Sequence, residues 1–103
     1  MTSFHHFLRS LFPICRSITG NGVRQTLRML QEELPGLHTF EVASGSKVFD
    51  WTVPDEWNIR GARLTGPSGE VIADFADTNL HVMGYSEPVD CDISREDLQN
   101  HLH

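Results

Sequence analysis

Turn-forming residues interrupt the chain at short intervals after residue 34, and their spacing limits what the chain can fold into. The turns are Pro35-Gly36, Ser44-Gly45-Ser46, Pro54 and Pro67-Ser68-Gly69. They recur about every ten to fifteen residues, which suits the short strands of an antiparallel sheet. The candidate strands are residues 37–42, 47–53, 57–64 and 70–75, with a short fifth at 80–83. We therefore expect a small antiparallel β-sheet of four to five strands.

Two helices are predicted before this sheet and one after it. The first, which Pro13 ends, has an apolar stripe at i, i+3, i+4 and i+7: Phe4, Phe7, Leu8 and Leu11. The second, from about residue 23 to 34, has another stripe: Val23, Leu27, Leu30 and Leu34. Ser94, followed three residues later by Asp97, resembles a capping box at the start of a C-terminal helix. The predicted fold class is α+β.

We divide the chain into a helical segment, residues 1–36, and a small β-rich domain, residues 37–103. The last helical pattern reaches His103 without a C-cap or turn signal. From this we expect the β-rich domain to be truncated relative to a longer parent.

The balance of charge argues against two classes of partner. Eight basic and fourteen acidic residues give a net charge of −6, which repels phosphate backbones and anionic lipid. We therefore expect no nucleic acid and no membrane partner. The sequence has no apolar run long enough for a membrane span and no signal-peptide pattern, so we expect a cytoplasmic protein.

Six histidines raise the question of a metal site, but their spacing is unfavourable. A zinc site needs three or four ligands, usually with two close together on one element. The chain has neither a His-Glu-x-x-His nor a Cys-x-x-Cys motif. We expect no catalytic residue, no metal ligand and no cofactor within this chain.

Two clusters are candidates for binding a ligand. Trp51 and Trp57 lie within one seven-residue window that also holds Asp55 and Glu56. The tryptophans could be core or sheet-face residues, or part of an aromatic and acidic wall that meets a cationic group such as a peptide N-terminus. In the second cluster, Asn79 and His81 would share one face of a strand, where they could orient a polar ligand or fix a turn. The candidate substrate-binding residues are Asp50, Trp51, Glu56, Trp57, Asn79 and His81.

Several stretches of this sequence resemble a family of bacterial and archaeal zinc aminopeptidase-like proteins. They are residues 12–24 (FPICRSITGNGVR), Ser44-Gly45, residues 50–58 (DWTVPDEWN) and residues 79–86 (NLHVMGYS). Of these stretches, residues 50–58 are the most specific to the family. The resemblance implies an aminopeptidase-like α/β domain with a small β-rich domain inserted near its start and a winged-helix tail.

The resemblance also implies that metal binding and catalysis belong to segments outside this chain. Zinc is expected in full-length relatives, whose metal-binding and catalytic segments match no position here. The chain would then be an N-terminal fragment or truncated relative of such a protein, structural and substrate-facing, and not catalytic alone. Its expected partners are a missing peptidase domain or a second copy of itself, and a peptide ligand. The alternative is a free-standing module that binds a peptide or sugar through Trp51 and Trp57.

Overall fold

The computed structural model describes residues 3–103, and its elements confirm a small α+β fold. Within that range it has three α-helices, two two-stranded antiparallel sheets and a 3-10 helix at Asn79–His81. The helices are α1 (Phe4–Leu11), α2 (Asn21–Glu33) and α3 (Arg95–Gln99). The strands are β1 (Lys47–Val48), β2 (Trp51–Thr52), β3 (Arg63–Thr65) and β4 (Val71–Asp74).

All three predicted helices are present, and side chains cap them. The Ser3 hydroxyl accepts a hydrogen bond from the His6 amide at 3.2 Å and starts α1, which ends before Pro13. Ser94 accepts from the Asp97 amide at 3.1 Å and starts α3 in the predicted place. Helix α2 begins at Asn21, two residues earlier than expected, because a side chain from a distant segment caps it.

The strands do not form the single sheet of four to five strands that the turn spacing suggested. In one pair, β1 and β2, Val48 lies opposite Trp51; in the other, β3 and β4, Leu64 lies opposite Ala73. Residues 47–53, expected as one strand, fold back on themselves because Phe49 takes a left-handed conformation, with φ of 56°, and makes a tight turn.

Three further predicted strands are wholly or partly wrong. Residues 37–42 form no regular element, and neither do residues 57–62, of which Trp57 and Asn58 contact the loop before α2 and its first residue. The segment at 80–83 was wrong as a strand, because the Thr78 hydroxyl accepts from the Leu80 amide at 3.3 Å and stabilises the 3-10 helix. Such side-chain bonds to the nearby backbone compete with strand formation.

The described chain has no apolar interior. None of its hydrophobic side chains is buried, and its radius of gyration is 17.7 Å. A compact domain of this length would have a radius of gyration of about 13 Å. Large apolar side chains instead face outward, and Phe4 and Phe12, on and just after α1, are 77% and 76% exposed. The fold therefore depends on local hydrogen bonds and on one polar junction between loops.

Contacts between residues 17–21 and 55–58 cross the predicted boundary at residue 36, and the division into two domains stays a prediction. In the part of the chain that the structure describes, no helix has both the length and the apolar character needed to cross a membrane.

Candidate functional site

Three segments that are far apart in the sequence meet in one place, which we call the junction. It is formed by residues 17–21, residues 55–58, and Tyr85 with Ser86. Each segment belongs to one of the three long stretches that carry the family resemblance. The strings that look like separate motifs in the sequence are thus parts of one structural site.

Thr19 lies at the centre of the junction. Its hydroxyl oxygen is 2.5 Å from the Tyr85 hydroxyl, 3.3 Å from the Trp57 amide nitrogen and 3.3 Å from the Asp55 carbonyl oxygen. A hydroxyl has one proton to donate and two lone pairs to accept with. All three contacts are satisfied when Thr19 donates to Asp55 and accepts from both Trp57 and Tyr85. This arrangement fixes Tyr85 as a donor.

Trp57 and Tyr85 are held by two further contacts. Their rings stack with centroids 6.0 Å apart and an angle of 28° between the planes. The Trp57 indole N–H donates to the Ser86 carbonyl at 2.9 Å. Tyr85 has a φ of 64°, which is costly for an aromatic residue, and the ring stack and the Thr19 bond hold it there.

The loop before α2 fits against residues 57 and 58. Gly20 is buried with φ of 104°, and a β-carbon there would collide with the Trp57 carbonyl oxygen, so only glycine fits. The Asn58 side-chain oxygen accepts from the Asn21 amide at 2.7 Å. Gly20 has no side chain to cap α2, and Asn58 takes over that role from 37 positions away.

Glu56 forms an ion pair with Arg24 on α2, and Arg24 also donates to the Asn21 side chain at 3.2 Å. Both members of the pair are partly exposed. The carboxylate therefore faces α2 and already has a cationic partner, which leaves it less available to a ligand.

The structure brings together only some of the predicted site residues. Glu56 and Trp57 lie in the junction, whereas Asp50 and Trp51 lie on the β1–β2 hairpin and make none of its contacts. The Asn79 side chain donates to the Phe12 carbonyl at 3.5 Å. Substrate binding by all six candidates stays a prediction, and the alternative of a free-standing binding module gains no support.

His81 lies in the 3-10 helix rather than on a strand face shared with Asn79, and its side chain is exposed. It is near enough to Asp74 at the end of β4 to act on it electrostatically. The pKa of Asp74 is lowered mainly by a hydrogen bond from the Ala76 amide at 2.9 Å, then by Arg63 at 3.2 Å, with a small contribution from His81.

The sequence did not single out Thr19, Gly20, Asn58 or Tyr85 as site residues, although all four lie in the resemblance strings. The only signal was their membership of those strings. Their roles depend on contacts between segments far apart in the sequence, such as Thr19 and Asp55, which are 36 positions apart, and local patterns do not reveal such contacts.

An open groove of about 470 Å³ borders the junction between the end of α1 and the start of α2. Ile14, Cys15, Asn58 and Phe75 are among the residues that line it. Cys15 is its one titratable side chain, and both Cys15 and Cys91 are free thiols. The groove therefore does not bring together a set of acid and base groups.

Within residues 3–103, no three His, Cys, Asp or Glu side chains lie close enough to share a metal ion. The residues present do not fit a zinc site, which needs at least three protein ligands.

Comparison with known proteins identifies a family model and a curated relative that match most of this chain. The family described as domain of unknown function DUF4910 matches residues 5–99. A Clostridium acetobutylicum protein, provisionally described as a polysaccharide biosynthesis protein with an aminopeptidase-like domain, is 50% identical over 99 residues. That match covers 96% of this chain and 23% of the relative.

A crystal structure from Clostridium acetobutylicum, of a protein provisionally described as a peptidase, has a similar fold. Its TM-score is 0.87 at 52% identity, over 94% of this chain and 23% of that one. The chain thus spans about a quarter of the length of both proteins it matches.

Proposed function

This chain belongs to the family of the domain of unknown function DUF4910, and from that membership we propose that it acts as the N-terminal, substrate-facing part of an aminopeptidase-like protein. In this role the chain shapes the substrate cleft and positions the substrate, and it does not catalyse the reaction alone. The observation that carries the proposal is the junction, where the three resemblance strings meet in a chain 50% identical to part of an aminopeptidase-like relative.

The absence of an apolar interior supports a role as one part of a larger protein. A chain that stands alone must bury apolar surface to offset the entropy lost on folding. Here Phe4 and Leu8 of the α1 stripe are exposed, and Phe7 and Leu11 are only half-buried. In the proposed role, that stripe packs against the aminopeptidase-like remainder, and a second copy of the chain covers it where the remainder is missing.

Zinc, which the family resemblance implies, would be held elsewhere in such a protein, because the side chains described here do not converge on a metal. When bound, zinc would lower the pKa of a water molecule and polarise the scissile carbonyl group. This chain would contribute a wall of the substrate cleft. Asp50 and Trp51, which project from the hairpin outside the junction, are the candidates to meet a peptide's terminal ammonium group.

The test compares three proteins in an assay of zinc-dependent hydrolysis of amino-acid anilides. They are the Clostridium acetobutylicum relative, a chimera in which this chain replaces the matching quarter of it, and the chain alone. We expect the relative and the chimera to be active and the chain alone to be inactive. Inactivity of the relative would refute a peptidase role, and turnover by the chain alone would refute the non-catalytic role.

The substrate-facing part of the proposal needs its own variant. In the chimera, Asp50→Asn should raise KM while kcat changes little, because the carboxylate binds the ammonium group but takes no part in bond cleavage. Asp90→Asn, which also removes an exposed carboxylate, is the matched control. Equal effects of the two substitutions would argue against a specific role for Asp50.

A further inference from the structure

Phe49 occupies an unfavourable position at the tip of the β1–β2 hairpin. Two residues, Phe49 and Asp50, connect paired Val48 and Trp51, and Phe49 has φ of 56°. Two-residue hairpin turns with positive φ normally carry Asn, Asp or Gly, because a bulky side chain strains this conformation. The Phe49 side chain is also fully exposed, at 101% of its reference area. It is strained and makes no compensating contact within the described chain.

Tyr85 provides the contrast. It is the other non-glycine residue with positive φ in the described chain, at 64°. Its strain is offset by the stack on Trp57 and the bond to Thr19. Strained residues persist where surrounding contacts hold them. For Phe49 the described chain supplies no such contacts, so the group that offsets the strain lies outside it.

We propose that Phe49 docks the β1–β2 hairpin into an apolar pocket on the remainder of the aminopeptidase-like protein. This inference rests on the proposed function. Val48, which is 38% exposed, adds apolar surface beside Phe49. A ring placed in a concave apolar pocket is the usual form of an interface anchor. Docking would also fix Asp50 and Trp51 against the body that carries the chemistry.

Two observations favour this occupant over a second copy of the chain. The matching fold in the crystal structure is part of a chain of which it covers only 23%, so a large protein body accompanies it there. Each copy of the present chain carries a net charge of −6, and two copies repel one another unless their contact surface is locally free of acidic groups. Asp50 lies directly beside Phe49, so the hairpin tip does not meet that condition.

One substitution tests the inference, because its effect on hydrogen exchange should have opposite signs in the chain alone and in the chimera. Asn tolerates positive φ, so Phe49→Asn in the chain alone should stabilise the hairpin and slow hydrogen exchange of the Val53 amide, which bonds to Ser46. We expect a change of about fivefold or more. In the active chimera the same substitution should speed that exchange, because the anchor is lost. Phe49→Tyr, which keeps the ring, should behave as Phe49 does in both proteins.

The other outcomes each overturn the inference. Slower exchange in both proteins would mean that Phe49 has no partner, and it would leave the proposed function intact if the chimera is active. If the chain alone sediments as a dimer and its Phe49→Asn variant as a monomer, the group that holds Phe49 is a second copy of the chain. A raised KM with unchanged exchange would identify a peptide ligand. Inactivity of the Clostridium acetobutylicum relative itself would refute the proposed function and this inference with it.

Discussion

The hydroxyl oxygens of Tyr85 and Thr19 lie 2.5 Å apart although 66 positions separate the two residues in the sequence. This contact closes the loop that contains both hairpins. Fixing so long a loop costs conformational entropy, which the junction contacts must offset. In the described chain, which buries no hydrophobic side chain, this small polar site joins the start of α2 to residues 55–58 and to Tyr85 and Ser86.

We expect Tyr85→Phe to weaken the junction by about 0.5–1.5 kcal/mol, the net contribution of one hydrogen bond. The ring stack on Trp57 should persist. Thr19→Val should cost more, because it leaves the Trp57 amide and the Asp55 carbonyl without their partner. The measurement is hydrogen exchange at the Trp57 indole N–H in a double-mutant cycle, with Ser68→Ala as a control for hydroxyl removal. A coupling energy near zero would show that the two hydroxyl groups do not interact.

Asn58→Ala should fray the start of α2. It removes the acceptor for the Asn21 amide, and losing an N-cap costs about 0.5–2 kcal/mol. Asn58→Asp is the matched control, because it keeps an acceptor and places a negative charge at the positive end of the helix. We expect exchange of the Asn21 amide to quicken in the first variant and not in the second, as NMR would show. Equal exchange rates would rule out capping by residue 58.

The stability of the β3–β4 hairpin should depend on pH through the ionisation of Asp74. Its pKa in the folded chain is lowered below the ordinary value of 3.8, first by the Ala76 amide and then by Arg63. A lowered folded pKa means that the charged form favours folding. The contribution is present above 3.8 and is lost as the pH falls through the lower folded value. Arg63→Gln should raise the pKa of Asp74 only part of the way to 3.8, because the hydrogen bond from the Ala76 amide remains.

Carboxyl NMR during an acid titration gives this pKa directly. Asp74→Asn should remove this group's contribution to the acid sensitivity of the hairpin. An Asp74 pKa at or above 3.8 in the unmodified chain would contradict this prediction.

The sequence predicted the helices well because their signals are local. Apolar stripes, Pro13 and the Ser94 cap each act within a few residues, and α1 ends and α3 begins close to where these signals lie. The end of α3 was wrong, because the helix stops at Gln99 and does not continue to His103. Strands depend on partners instead. Residues 37–42 have a strand-like pattern but meet no neighbouring strand. Propensity for a strand is therefore not enough where no edge is available to pair with.

The candidate site was predicted only in part, for a related reason. Trp57 was identified by its residue type, and the structure places it in the junction. Thr19 and Asn58 were not identified, because a threonine or asparagine in a loop carries no special signal until its distant partner is known. The conformation of Phe49 was equally hidden, since sequence rules favour other residues at that position.

Isolated copies of the chain should associate through α1. This helix exposes Phe4 and Leu8 and carries no acidic residue, so no local negative charge opposes contact there. Replacing both Phe4 and Leu8 with Gln should weaken dimerisation by at least about tenfold, because each buried apolar side chain contributes about 1.5–3 kcal/mol. His6→Gln, on the opposite face of α1, is the control. A monomer at high concentration in light scattering would contradict this prediction.

Zinc should bind the chain no more tightly than scattered surface histidines do. A catalytic zinc needs three protein ligands held around an open fourth position, and no three candidate ligands in the described range lie within reach of one ion. His81 has an aspartate, Asp74, near it, but two ligands do not make such a site. Calorimetric titration should therefore give weak binding that His81→Ala barely changes. A stoichiometric site of sub-micromolar affinity, lost in His81→Ala and accompanied by hydrolysis of an amino-acid anilide, would make this chain an enzyme in its own right.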